Sequence, residues 1–163
     1  MSETVVAHLS DPHLFAPTAL RPHHALDKRL LGGLNALLRR RKLHRRELTE
    51  AALAQIAQLA PNHVVVSGDI TTVGAEAEMR AFRRLLERSG LAARDVTVVP
   101  GNHDAYVQGI VRRGTFPRVF ARYQTADAPF ADRHWPRVRL CGQVAVVAVD
   151  TARPSAPLLA LGT

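Results

Sequence analysis

His63-Val64-Val65-Val66-Ser67-Gly68-Asp69 decides the fold. The run from His63 to Ser67 is short, continuous and β-branched, as expected of a strand buried on both faces of a parallel sheet. Gly68 gives the backbone room to turn, and Asp69 is a common turn or capping residue. Upstream, Pro61 ends a helix predicted over Glu47 to Leu59, with Leu48, Ala52, Ile56 and Leu59 on one stripe. Downstream, Ile70 to Gly74 reads as a loop. Glu76 to Arg88 then carries Met79, Phe82 and Leu86 at helical spacing, and Ser89-Gly90 stops it.

The pattern repeats outward in both directions. Thr4 to Leu9 reads as an opening strand, and Asp95 to Val99 as a third strand stopped by Pro100. Ser10 to His24, rich in Pro and His, reads as a loop. Asp27 is placed to cap a helix from Lys28, with Leu30, Leu31, Leu34, Leu37 and Leu38 on one face, although Gly32 and Gly33 weaken it. A short helix is expected over Arg118 to Tyr123, and two further strands over Val138 to Leu140 and Val144 to Val149, joined near Gly142. Strand alternating with helix predicts an α/β fold with a largely parallel sheet, whose site lies beyond the carboxyl ends of the strands.

Three short signatures fall at those ends: Asp11-Pro12-His13, Gly68-Asp69 and Gly101-Asn102-His103-Asp104. Each alone also reads as a turn. Together they bring carboxylate, amide and imidazole to one edge, a donor set suited to Zn, Fe, Mn or Co. Asp69 has two oxygens and can bridge two ions. Asn102 offers a neutral carbonyl oxygen. His103 can give a proton to a phosphate oxygen, and Asp104 beside it can orient the ring.

In this order the three signatures resemble the calcineurin-like metallophosphoesterase superfamily over about residues 4 to 151, and His-Leu-Ser-Asp-Pro-His with Val-Val-Pro-Gly-Asn-His-Asp is most similar to its cyclic-nucleotide phosphodiesterase-like branch. The resemblance implies an αββα sandwich and hydrolysis of a phosphodiester or phosphomonoester by a hydroxide activated by two metal ions. It implies that Asp11 and His13 hold the first ion, that Asp69 bridges, and that Asn102 holds the second. His103 would act in catalysis with Asp104. The superfamily also supplies three downstream histidines, one single and two in a Gly-His-x-His motif. After His103 this chain has only His134, within Arg133-His134-Trp135-Pro136. Residues 1–163 are therefore expected to be the amino-terminal portion of one such domain, with an incomplete second sheet and impaired catalysis.

Composition narrows the partners. The net charge is +8, with 22 Lys and Arg against 14 Asp and Glu, which suits anionic ligands. Much of it lies in Arg39-Arg40-Arg41-Lys42-Leu43-His44-Arg45-Arg46. No aromatic residue for base stacking interleaves that run, so it reads as a solvated helix end and loop rather than a nucleic-acid surface, and the resemblance implies a small phosphate ester as substrate. The alternative is a vestigial, non-catalytic interaction module that offers this basic surface to an anionic partner. The single cysteine, Cys141, reads as a small core residue and fits a reducing, cytoplasmic compartment. No apolar run is long enough to span a bilayer, and the oligomeric state is open.

Overall fold

The computed structural model describes residues 3–16, 46–129 and 134–154. The helix expected from Lys28, and the basic run apart from Arg46, lie outside the described residues. Strand β1 is Val6–Leu9, β2 is His63–Val66 and β3 is Val96–Val98; they pair in parallel in the order β1-β2-β3. Register sets Leu9 opposite Val66, and Val66 opposite Val98. The three strands thus end level, and the three signatures leave from one edge.

Helix α1 (Arg46–Leu59) leads into β2, and helix α2 (Glu76–Arg88) links β2 towards β3. Both bounds follow the sequence reading to within a residue. The buried stripe of α1 differs: Thr49, Leu53 and Ile56 are buried, while Leu48 and Leu59 are exposed. Leu48 and Leu59 sit about a quarter turn from the Thr49–Leu53 line, so one helix face cannot bury both sets. In α2 the buried residues Met79, Phe82, Leu85 and Leu86 follow the predicted spacing. Gly90, with φ +81°, ends the helix in the left-handed region that glycine adopts without strain.

After β3 come α3 (Gln108–Arg112) and α4 (Thr115–Phe120), followed by a 3-10 turn over Ala121–Tyr123. The reading from Arg118 caught only the end of this segment. Pro117 obscures the start, yet proline is tolerated in the first turn, where backbone N–H groups have no intrahelical partner. One core joins Leu53 and Ile56 of α1, Val64 and Val66 of β2, and Val96 and Val98 of β3. It continues through Phe82 and Leu86 of α2 to Phe116 and Phe120 of α4.

A second sheet is antiparallel, in the order β4-β5-β6. It is built on β5 (Arg137–Cys141) and β6 (Val144–Ala148), with the two-residue β4 (Ala128–Pro129) at its edge. β5 and β6 turn at Gly142, φ +61°, near the predicted position. Cys141 is buried, as its apolar setting suggested. Among the described residues no helix is long and apolar enough to cross a membrane.

Candidate metal centre

The first two signatures stay zipped together beyond the sheet. Asp11 N–H donates to the Gly68 carbonyl at 3.2 Å, His13 N–H to the Asp69 carbonyl at 3.0 Å, and Leu14 N–H to the Ile70 carbonyl at 2.7 Å. The third signature is locked to the second through glycine. A Cβ on Gly68 would collide with the Gly101 backbone, and one on Gly101 would collide with Asp69. Only two glycines permit that approach.

Non-glycine residues with positive φ are uncommon, and they cluster where function overrides backbone comfort. The described ones are Asp11 (56°), His13 (42°), Asp69 (50°) and Ala60 (45°). Three of these four were singled out from sequence as metal ligands.

One ligand atom from each of His13, Asp69 and His103 lies within 4.8 Å of the other two. The imidazoles are held in the same way. His103 Nδ1–H donates to the Thr72 carbonyl at 2.9 Å, and His13 Nδ1–H to the Thr71 carbonyl at 3.3 Å. A backbone carbonyl fixes each tautomer and leaves Nε2 with its lone pair, the usual second contact of a metal-binding histidine. The Asp69 carboxylate accepts from His103 N–H through Oδ1 at 2.9 Å, while Oδ2 stands 3.9 Å from His13 Nε2.

The Asn102 amide lies against Asp69, one end 3.1 Å from both carboxylate oxygens. With nitrogen inward it donates two hydrogen bonds. Turned over, the same amide would present its carbonyl oxygen to an ion held beside Asp69. Asp11 sits on the open side, 61% exposed, with Oδ1 at 3.5 Å from His13 Nε2. The His13 imidazole, the carboxylates and the amide form a donor set that fits a borderline divalent ion, with the His103 ring beside it.

Asp104 is placed differently from its expected orienting role. Its carboxylate is buried and accepts from Gly101 N–H (2.9 Å), Ile70 N–H (3.2 Å), Thr71 N–H (3.0 Å) and Thr71 Oγ1 (2.9 Å). It staples the second signature to the third, and the His103 ring is oriented by the Thr72 carbonyl instead. Burial pushes the Asp104 carboxyl up to about 6, against the pull of its N–H donors. Glu78 braces the adjoining loop in a similar way, with Oε2 accepting from Val73 N–H at 3.2 Å and Ala75 N–H at 3.1 Å. Burial raises it to about 7.

The sequence reading missed Thr71, Thr72 and Glu78. Two of them act through backbone carbonyls, which every residue carries, so no residue-type signal marks them. His134 stays apart from the cluster: Nε2 bonds Gln124 Oε1 at 2.9 Å and Nδ1 accepts from Arg137 at 3.0 Å.

The family model for calcineurin-like phosphoesterases matches residues 4–144. The chain belongs to the calcineurin-like phosphoesterase family. The match spans all three signatures and most of both sheets. No curated protein matches the chain significantly. Membership gives this metal-ligand cluster a family-level chemistry, the hydrolysis of phosphate esters.

Proposed function

We propose that this chain carries a two-metal phosphoesterase site that hydrolyses a small phosphodiester or phosphomonoester. The convergence of His13, Asp69 and His103 at the level ends of three parallel strands carries the reading. In it, Asp11 and His13 would hold the first ion, Asn102 would hold the second, and Asp69 would serve both. When bound, such ions supply positive charge against the phosphate and the Lewis acidity that makes water a nucleophile near neutral pH.

The chain's own groups supply orientation and the proton. Asp69 is held by the His103 backbone N–H, which ties the second signature to the third. His103 Nδ1–H is tied to the Thr72 carbonyl, so Nε2 carries a proton only in the imidazolium. In that form it can pass the proton to the leaving oxygen and regain it from solvent. Asp104 serves indirectly by holding Gly101 against Ile70 and Thr71.

We also propose that turnover by residues 1–163 is slow. Among the described residues the second ion would have Asp69 and Asn102, and His134 is committed to Gln124 and Arg137. The same incomplete ligand set favours, as a second reading, a non-catalytic module that engages an anionic partner.

An aryl phosphodiester assayed with Mn²⁺ tests the first reading. Metal-dependent hydrolysis that is lost in Asp69→Ala is the expected result. Hydrolysis unchanged by Asp69→Ala would remove the bridging assignment. No metal-stimulated hydrolysis, together with salt-sensitive binding to an anionic polymer, would transfer the chain to the second reading.

A further inference from the structure

We propose that Tyr106 is a positioning residue that fixes the plane of the His103 imidazole, and that Gly74 is the residue that admits it. The inference rests on the reading of His103 as the proton donor. The His103 and Tyr106 rings are parallel within 4°, with centroids 5.6 Å apart, an offset stack. His13 meets His103 edge-on at 88°, with centroids 4.8 Å apart. The Nδ1–H bond to the Thr72 carbonyl supplies a third restraint.

A single hydrogen bond leaves an imidazole free to swing, because the histidine χ2 torsion is broad. The parallel Tyr106 ring and the perpendicular His13 ring restrict that freedom and keep Nε2 on the side of the cluster. Proton transfer depends on that aim, since small misplacements of a reacting group are costly in rate.

Gly74 makes the stack possible. It has φ +66°, and a Cβ there would stand 3.0 Å from the His103 carbonyl oxygen and 3.0 Å from Tyr106 Cβ. The loop from Thr71 to Gly74 thus contacts the His103 unit at three points: the Thr71 hydroxyl, whose one proton is shared with Asp104, lies 3.1 Å from the His103 carbonyl, the Thr72 carbonyl holds the ring, and Gly74 seats Tyr106. The segment reads as an ordinary turn in sequence, and in the fold it acts as the template for the proton donor.

Tyr106→Phe keeps the ring face, whereas Tyr106→Leu keeps apolar volume and removes the face. In the unmodified, metal-free protein, NMR should show the His103 ring protons displaced by the ring current of the parallel tyrosine. Phe should preserve that shift and Leu should abolish it. With Mn²⁺ and an aryl phosphodiester, Leu should lower kcat roughly 10- to 100-fold with KM and Mn²⁺ affinity little changed, while Phe restores kcat. Gly74→Ala should reproduce the Leu result.

Unshifted His103 protons in the unmodified protein would overturn the proposal. So would a Leu variant that keeps the shift and the rate, or a Phe variant that falls as far as Leu. A matching loss of Mn²⁺ affinity in Leu would also overturn it, by making Tyr106 a member of the ligand cage. Absence of turnover in the unmodified protein would count against the phosphoesterase reading, and the NMR result would still decide the role of Tyr106.

Discussion

β2 and β6 are both short runs dominated by valine, yet the fold treats them in opposite ways. In β2, Val64 and Val66 are fully covered, between two neighbouring strands and beneath the helices. In the second sheet, Leu140 of β5 and Val147 of β6 are 62% and 58% exposed. Composition alone does not separate the two strands; position does. β2 is central and β6 is terminal in its sheet. The lesson concerns the site, because each of its assigned residues leaves from the buried parallel sheet. A metal cage needs ligands held by packed elements, and among the described residues that region offers them.

The largest expected effect comes from the staple behind the cage. Asp104→Ala leaves the N–H groups of Ile70, Thr71 and Gly101 without their acceptor inside the protein, and should cost on the order of 3–5 kcal/mol in urea denaturation. A loss below about 1 kcal/mol would mean that the signatures hold together without it. Val66→Ala, in the covered strand, should cost about 2–3 kcal/mol from lost burial and the cavity left behind.

Glu78 turns the same region into a pH-dependent element. Its folded carboxyl is raised from 4.5 to about 7, so the folded protein holds a proton that the unfolded chain releases. The resulting stabilisation is fully present below pH 4.5 and disappears as pH rises through 7. Its upper bound is about 3 kcal/mol. Asp104, raised from 3.8 to about 6, acts in the same direction over a lower window. The metal-free protein should therefore gain stability from these groups between about pH 8 and about pH 5, against the usual acid trend. Glu78→Gln should flatten the change in urea midpoint across that range. A midpoint profile identical to the parent would show that Glu78 does not titrate there. Smallest of all, Val147→Ala in the exposed sheet should change stability by less than about 0.5 kcal/mol. A loss equal to that of Val66→Ala would erase the contrast between the two sheets.

Much of this was legible in the residues. The β-branched run before Gly68 marked a strand buried on both faces, and the spacing of Met79, Phe82 and Leu86 marked a helix buried along one. The level strand ends then made Asp69, His13 and Asn102 neighbours. What was hidden depends on angles and backbone atoms. The α1 stripe lay a quarter turn from its reading, because several apolar residues competed for one face. Asp104 looked like a partner for the histidine beside it, but adjacent side chains diverge in a tight turn, and its carboxylate faces buried N–H groups. The carbonyls that orient His13 and His103 carry no mark in any sequence.

Calorimetric titration of the metal-free chain with Mn²⁺, beside Asp69→Asn, tests the central claim most directly. Saturable binding in the unmodified chain, weakened at least about 100-fold in Asp69→Asn, is the predicted result. No saturable binding, or equal affinity in the two proteins, would contradict a metal centre built on the ends of β1, β2 and β3.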